Sequence, residues 1–109
     1  MADVSQLIDS VRLKAIGTRL REQYGAQQVI LYGSAARNEA TEHSDIDLLV
    51  IAATNERFYE RMASVLATVR DLSRGMPLSP LVLTPEELAD RLGRGDQFVQ
   101  EIVHSGVAL

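Results

Sequence analysis

The sequence predicts an α/β domain, a small mixed sheet of three or four strands with helices packed mainly on one face. Three observations carry that expectation. Short apolar runs at 28–32, 45–52 and 78–83 have strand length and alternate with longer segments whose apolar residues recur at helical spacing. The run at 45–52 is apolar on both faces, as in a strand covered above and below. With 109 residues, 46% of them hydrophobic, the chain can bury one core but not two, so 1–109 reads as a single domain.

A helix is expected over 5–24, where Leu13, Ile16, Leu20 and Tyr24 form one apolar stripe. Gly17 inside it costs about 1 kcal/mol relative to Ala, which marks a place where something packs closely. Gly25 is positioned to end the helix. Val29-Ile-Leu-Tyr32 then reads as a buried strand that stops at Gly33, a residue that turns without a Cβ in the way. Ser34-Ala-Ala-Arg37 reads as a first helical turn with Ser34 near its start. That turn is either an ordinary serine cap or a set of backbone N–H groups and a hydroxyl suited to phosphate oxygens.

The strand at 45–52 puts Asp45 and Asp47 on one side with Leu49 and Ile51, and Ile46, Leu48, Val50 and Ala52 on the other. Asn55 is expected to cap a helix over 56–73, with Phe58, Met62, Val65, Leu66, Val69 and Leu72 as its buried face. Phe58 is read as core rather than as a base-stacking surface; Tyr59 lies off the stripe. Arg74-Gly-Met-Pro77 breaks the chain before the strand at 78–83. Pro80 has no N–H for a ladder, so that strand is expected at an edge or to begin near that residue. Thr84-Pro-Glu-Glu87 combines a capping box with proline at the first helical position, giving Glu87 a structural role that competes with a catalytic one. That helix ends by Gly93. Asp96 caps a last helix carrying Phe98, Val99, Ile102 and Val103, with His104 in its final turn and Gly106 closing it.

A formal charge of −4 argues against non-specific binding to nucleic acid. Arg12, Lys14, Arg19 and Arg21 are spread around one helix rather than clustered. The absence of cysteine excludes disulfide frameworks and thiolate metal sites. No apolar run is long enough to span a bilayer, and an N-terminus with Asp3 and Asp9 does not read as a signal peptide. A cytoplasmic setting is expected, with no membrane partner.

The chemistry concentrates in Gly33-Ser34, ten intervening residues, then Asp45 and Asp47. Ordinary usage of Gly, Ser and Asp makes that spacing arise by accident roughly once per thousand chains of this length. Two carboxylates at the mouth of a buried strand repel each other and lose hydration unless a cation compensates. Magnesium suits them, because it takes oxygen ligands from one or two carboxylates and completes its shell with water and substrate phosphates. Such a site can align a nucleoside triphosphate for in-line attack. His43, next to the pair, is read as a solvated turn residue rather than a proton acceptor.

Gly33-Ser34, Ala36-Arg37 and Ser44-Asp45-Ile46-Asp47-Leu48 resemble the signature of the DNA polymerase beta-type nucleotidyltransferase superfamily, and the short length resembles its minimal nucleotidyltransferase branch. Weaker similarity runs through Leu83-Thr-Pro-Glu-Glu87 to Ile102-Val-His-Ser-Gly-Val107. The resemblance implies transfer of a nucleoside monophosphate, AMP from ATP being favoured, to a hydroxyl or similar acceptor. It implies that Gly33, Ser34 and Arg37 hold the nucleotide, and that Asp45 and Asp47 hold magnesium and are catalytic. It also implies a partner, an all-helical HEPN-type protein, in some relatives the toxin to which this chain is antitoxin; a homo-oligomer stays open.

Two positions depart from the pattern. Asn38 stands where relatives often have glycine, and asparagine tolerates left-handed backbone. Ser79 stands where relatives carry a third acid that completes the metal site and activates the acceptor. A neutral hydroxyl is a poor proton acceptor and a weak metal ligand. Asp71, Glu86, Glu87 or a partner's side chain is the expected substitute; the alternative is a chain that binds nucleotide or partner without full catalysis.

Overall fold

A computed structural model describes residues 4–41 and 44–109. His43 lies outside the described residues. The chain runs α1 (Val4–Arg19), a π-helical turn (Leu20–Tyr24), β1 (Ala26–Tyr32), β2 (Ile46–Ala52), α2 (Phe58–Thr68), β3 (Leu78–Leu83), α3 (Pro85–Gly93), α4 (Gln97–Ser105) and β4 (Val107–Ala108). Four strands form one mixed sheet in the order β3-β2-β1-β4. β1 pairs antiparallel with β2 and β4, while β2 pairs parallel with β3. Pro80 therefore sits on an edge strand, as its missing N–H requires.

β2 is central and buried on both sides. Leu48, Val50 and Ala52 join Val29 and Leu31 in the larger core cluster, covered by Leu13, Ile16 and Leu20 of the first helix and Val65 and Val69 from α2 and its end. Leu49 and Ile51 join Leu83 and Ile102 in a smaller cluster on the opposite face, with Leu88 against it. The helical cover is weighted towards one face, and the short α3 and α4 close part of the other. Asp47, in step with Leu49 and Ile51, belongs to this second, α4-bearing face.

Gly17 is where the chain's last residue arrives. A Cβ there would meet Leu109 Cβ at 3.0 Å. Leu109 N donates to Val29 O, and Arg21 donates to Leu109 O. The first helix keeps α-geometry only to Arg19, then widens into the π-turn. Gly25, in left-handed backbone at φ 79°, returns its N–H to Leu20 O. β1 begins earlier than the apolar run indicates, at Ala26. A register shift between Ala26 and Gln28 lets both Ala26 and Val29 face the core while Gln27 and Gln28 stay exposed.

Two expectations for the third element are corrected. Asn55 is not its cap: α2 begins at Phe58 after Arg57, with no side-chain cap, because Thr54 Oγ1 takes the Glu56 N–H and Glu56 is committed to Tyr24 and Ser64. Phe58 and Met62 are not core residues; they are 53% and 44% exposed. The inner stripe is instead Arg61, Val65 and Val69, at steps of four. Arg61 is only 6% exposed, with its guanidinium held by three acceptors. It donates to Glu56 O, Val82 O and, at 2.6 Å, Glu87 Oε1, and lies 5.7 Å from the Phe58 ring centroid. Past Thr68, hydrogen-bonded turns rather than helix carry the chain to Ser73.

α3 has the predicted capping box, Thr84 Oγ1 accepting from Glu87 N and Glu87 accepting from Thr84 N, with Pro85 at the first position. Asp96 caps α4 through Val99 N, and His104 sits in its last turn. No helix among the described residues is long and apolar enough to cross a membrane.

Candidate active site

The signature residues meet at the end of β1 and the start of β2. Tyr32, the last residue of β1, is the register partner of Asp47, and Asp47 is the register partner of Ser79 on β3. Three strands thus bring a phenol, a carboxylate and a hydroxyl into one row across the sheet. Gly33 follows with φ 74°, and a Cβ there would stand 2.6 Å from Asp47 Oδ2. Only glycine fits, both for the left-handed backbone and for the carboxylate against its Cα.

After Gly33 the chain turns rather than continuing as the expected helix. Ser34 O accepts from Arg37 N at 3.1 Å and Glu39 N at 2.9 Å, and Asn38 takes φ 57°. Asn38 therefore occupies the left-handed backbone that its glycine-like role requires. Among the described residues nothing accepts the amides of Ser34, Ala35 and Ala36. Successive amides free at a glycine turn are a feature of anion-binding backbone. Arg37 is exposed and holds Glu39 through its Nε at 3.1 Å.

Asp45, expected as the first residue of the strand, instead lies just before β2 and is exposed. Its charge still reaches Asp47. Burial first, and then repulsion from Asp45, push the Asp47 carboxyl above the usual carboxylate range. Burial and the Asp47 charge push the Tyr32 phenol up in the same way. No cation of the chain pairs with Asp45 or Asp47 among the described residues. Two hard oxygen donors short of positive charge, beside a backbone cradle that a Cβ would fill, fit a magnesium ion shared with phosphate oxygens. No group of three His, Cys, Asp or Glu that would hold a metal occurs among the described residues, consistent with serine at position 79.

A cleft of about 250 Å³ opens from this junction, between Tyr32, Gly33, Ala36, Arg37 and Asp47 on one side and Phe98, Glu101 and Ser105 of α4 on the other. Phe98 packs edge-on against Tyr32, with ring centroids 5.8 Å apart. Ser34 and Asp45 lie beside the cleft rather than in its lining. A larger hollow of about 330 Å³ lies at β1 and the chain's end, where Arg21 is the one charged side chain in its lining among the described residues. The α4 wall escapes the sequence pattern, since only the packing of the last helix brings Glu101 opposite Asp47.

The expected substitutes for the third acid are engaged or placed elsewhere. The Glu87 carboxylate is held by Arg61, which keeps it below the usual range, and by Thr84 N. It follows Leu83, at the opposite end of β3 from Ser79, as does Glu86. Asp71 is bound by both terminal nitrogens of Arg19, at 2.8 and 3.1 Å.

Comparison with known proteins agrees with this geometry. A family model described as a nucleotidyltransferase domain matches residues 13–106. A protein of Methanocaldococcus jannaschii, provisionally named a protein adenylyltransferase, is 43% identical over 61 residues, 55% of this chain and 53% of that protein. A second protein of that organism with the same provisional name is 52% identical over 31 residues, 28% of this chain and 32% of that one. The matches thus span about half and about a third of these relatives. A 1.40 Å crystal structure from Sulfolobus solfataricus, provisionally described as a nucleotidyltransferase, superposes with a TM-score of 0.58. That likeness, at 21% identity over 95% of this chain and 81% of the other, concerns the fold. With the family model covering most of the chain, and its glycine turn and acidic strand in contact, the protein belongs to the nucleotidyltransferase domain family.

Proposed function

We propose that the chain transfers a nucleoside monophosphate, with ATP as the favoured donor, to a hydroxyl on a protein acceptor. The observation that carries this reading is the contact between Gly33 and Asp47, which sets an uncompensated carboxylate against a turn with unpaired amides. The Gly33–Ser34 backbone and Arg37 would hold the phosphates. Asp45 and Asp47 would hold magnesium, which when bound supplies charge neutralisation at the transferred group. The provisional names of the two relatives favour a protein acceptor. The family resemblance favours an all-helical HEPN-type partner as that acceptor, in the manner of an antitoxin acting on its toxin.

A second reading is a subunit that binds nucleotide or partner and acts by complex formation. Ser79 favours it, standing beside Asp47 where an acid would complete the site. One experiment separates the two. The purified chain is incubated with magnesium and α-labelled ATP, with and without the protein encoded by the adjacent reading frame. Label moved to protein, and abolished by Asp45→Asn, is the result expected of the transferase; a stable complex with no transfer would establish the binder instead.

A further inference from the structure

We propose that Glu101 of α4 is the proton acceptor for the attacking hydroxyl, taking over the task that the neutral Ser79 cannot perform. The proposal rests on the transferase reading and adds a residue to it. As the acceptor oxygen bonds to the α-phosphorus, its O–H bond breaks and the proton passes to the Glu101 carboxylate. The bond from that phosphorus to the bridging oxygen breaks, and pyrophosphate leaves with the electron pair.

The assignment follows from which acids are available. Asp9, Glu39, Asp71, Glu87, Asp90 and Asp96 are all in ion pairs, and a carboxylate held by a cation is a weak base. Glu56 is engaged by Tyr24 and Ser64. Among the described residues two acids line the cleft, Asp47 and Glu101. Glu101 has no cation partner among the described residues; its one bond is from Ser105 Oγ, to a single carboxylate oxygen at 3.1 Å.

The helix that carries Glu101 is fixed in place. Val99 and Ile102 are buried, Ile102 packing with Leu49 and Ile51 on the face that bears Asp47. Phe98, Glu101 and Ser105, at steps of three and four, form one stripe along the cleft. The Phe98–Tyr32 contact pins that stripe over the register partner of Asp47. Since no trio of potential metal ligands gathers here among the described residues, Glu101 acts across the cleft as a base and not as a third ligand.

The test measures pyrophosphate release from Mg·ATP by the full chain with the adjacent-frame protein present, and Mg·ATP affinity by calorimetry. Glu101→Gln should lower kcat about 10²-fold while affinity and KM stay within about twofold, and Glu101→Asp should retain more activity than Glu101→Gln. Adding Ser79→Asp to Glu101→Gln should restore at least tenfold, a rescue that a merely structural glutamate would not allow. A Glu101→Gln chain as fast as wild type, one slowed only through weaker nucleotide binding, or one that Ser79→Asp cannot rescue would overturn the assignment and leave the transferase reading standing. A wild-type chain that binds Mg·ATP but releases no pyrophosphate would overturn the transferase reading itself and this assignment with it.

Discussion

At the start of β2, Asp47 meets a glycine, a second carboxylate and a neutral serine; at its far end Arg61, Glu56 and Glu87 all find partners within the chain. There Arg61 is held between Val82 O, Glu56 O and Glu87, and Glu87 also closes the cap of α3. Glu56 in turn accepts from Tyr24 and Ser64. Both ends are partly buried and polar. The far end compensates its charges internally and serves the fold, whereas the near end leaves negative charge for something outside the chain to neutralise. Perturbed ionisation alone would not separate them, since Glu87 and Asp47 are both shifted, in opposite directions and for opposite reasons.

The largest expected effects come from cutting each end once. Asp47→Asn should reduce nucleotidyl transfer about 10²–10³-fold, yet removing a charge that the fold does not compensate should leave stability level or raise it by up to roughly 1 kcal/mol. Arg61→Leu should do the reverse. It strands Glu87 and the Val82 carbonyl, costing about 2–3 kcal/mol with allowance for the partial exposure of Glu87, or about 10–20 °C in Tm. Nucleotide affinity of the folded protein should be unchanged. Urea melts and calorimetry on both variants read the comparison directly; an Asp47→Asn chain that loses as much stability as Arg61→Leu would break it.

Gly33→Ala sharpens the near end. Left-handed backbone costs a non-glycine residue about 1–2 kcal/mol, and the added methyl also displaces Asp47 Oδ2. In a double-mutant cycle with Asp47→Ala the steric part should vanish and the backbone part remain. Full additivity would mean that the two residues do not touch.

Much of the near end was legible because it is local in sequence. A strand, a glycine, a turn and an acidic strand start fall within one short stretch, and parallel pairing then places Ser79 beside Asp47, the position matched to the third acid. Asn38 and Pro80 also read correctly, since each carries a backbone constraint of its own. The far end was not legible. A helical stripe of Phe58, Met62 and Val65 is a sound amphipathic pattern, but the neighbouring Arg61 found a carbonyl on β3 and a carboxylate on α3 and turned the helix inward on its own side. Long-range polar satisfaction overrode hydrophobic periodicity there. Glu101 escaped for the same reason, because its meaning depends on where the last helix packs.

The smallest effects are in pH dependence, and they test whether the far end is the internally compensated one. Arg61 holds Glu87 below the ordinary value of 4.5 against the opposing effect of burial, with the Thr84 amide adding to the lowering. The stability this contributes is present above about that pH and lost as pH falls through the lower folded value. Arg61→Leu should flatten that acid limb in urea melts between pH 5 and pH 3, windows set by the ordinary carboxylate value.

Tyr24 is the alkaline counterpart. Burial, then its hydrogen bond to Glu56 at 2.8 Å, push the phenol from 10.0 up to about 12. A phenol is neutral below its pKa, so the folded state keeps the proton where the unfolded chain gives it up. The stability it contributes is complete below pH 10 and declines as pH rises towards 12. Tyr24→Phe removes that dependence along with the hydrogen bond, so the variant should be less stable than wild type at neutral pH by about 1 kcal/mol. The gap should narrow as pH rises from 9 to 11. A gap independent of pH would mean that Tyr24 is merely packed there, and that the charge network at the far end of β2 stops short of the first helix.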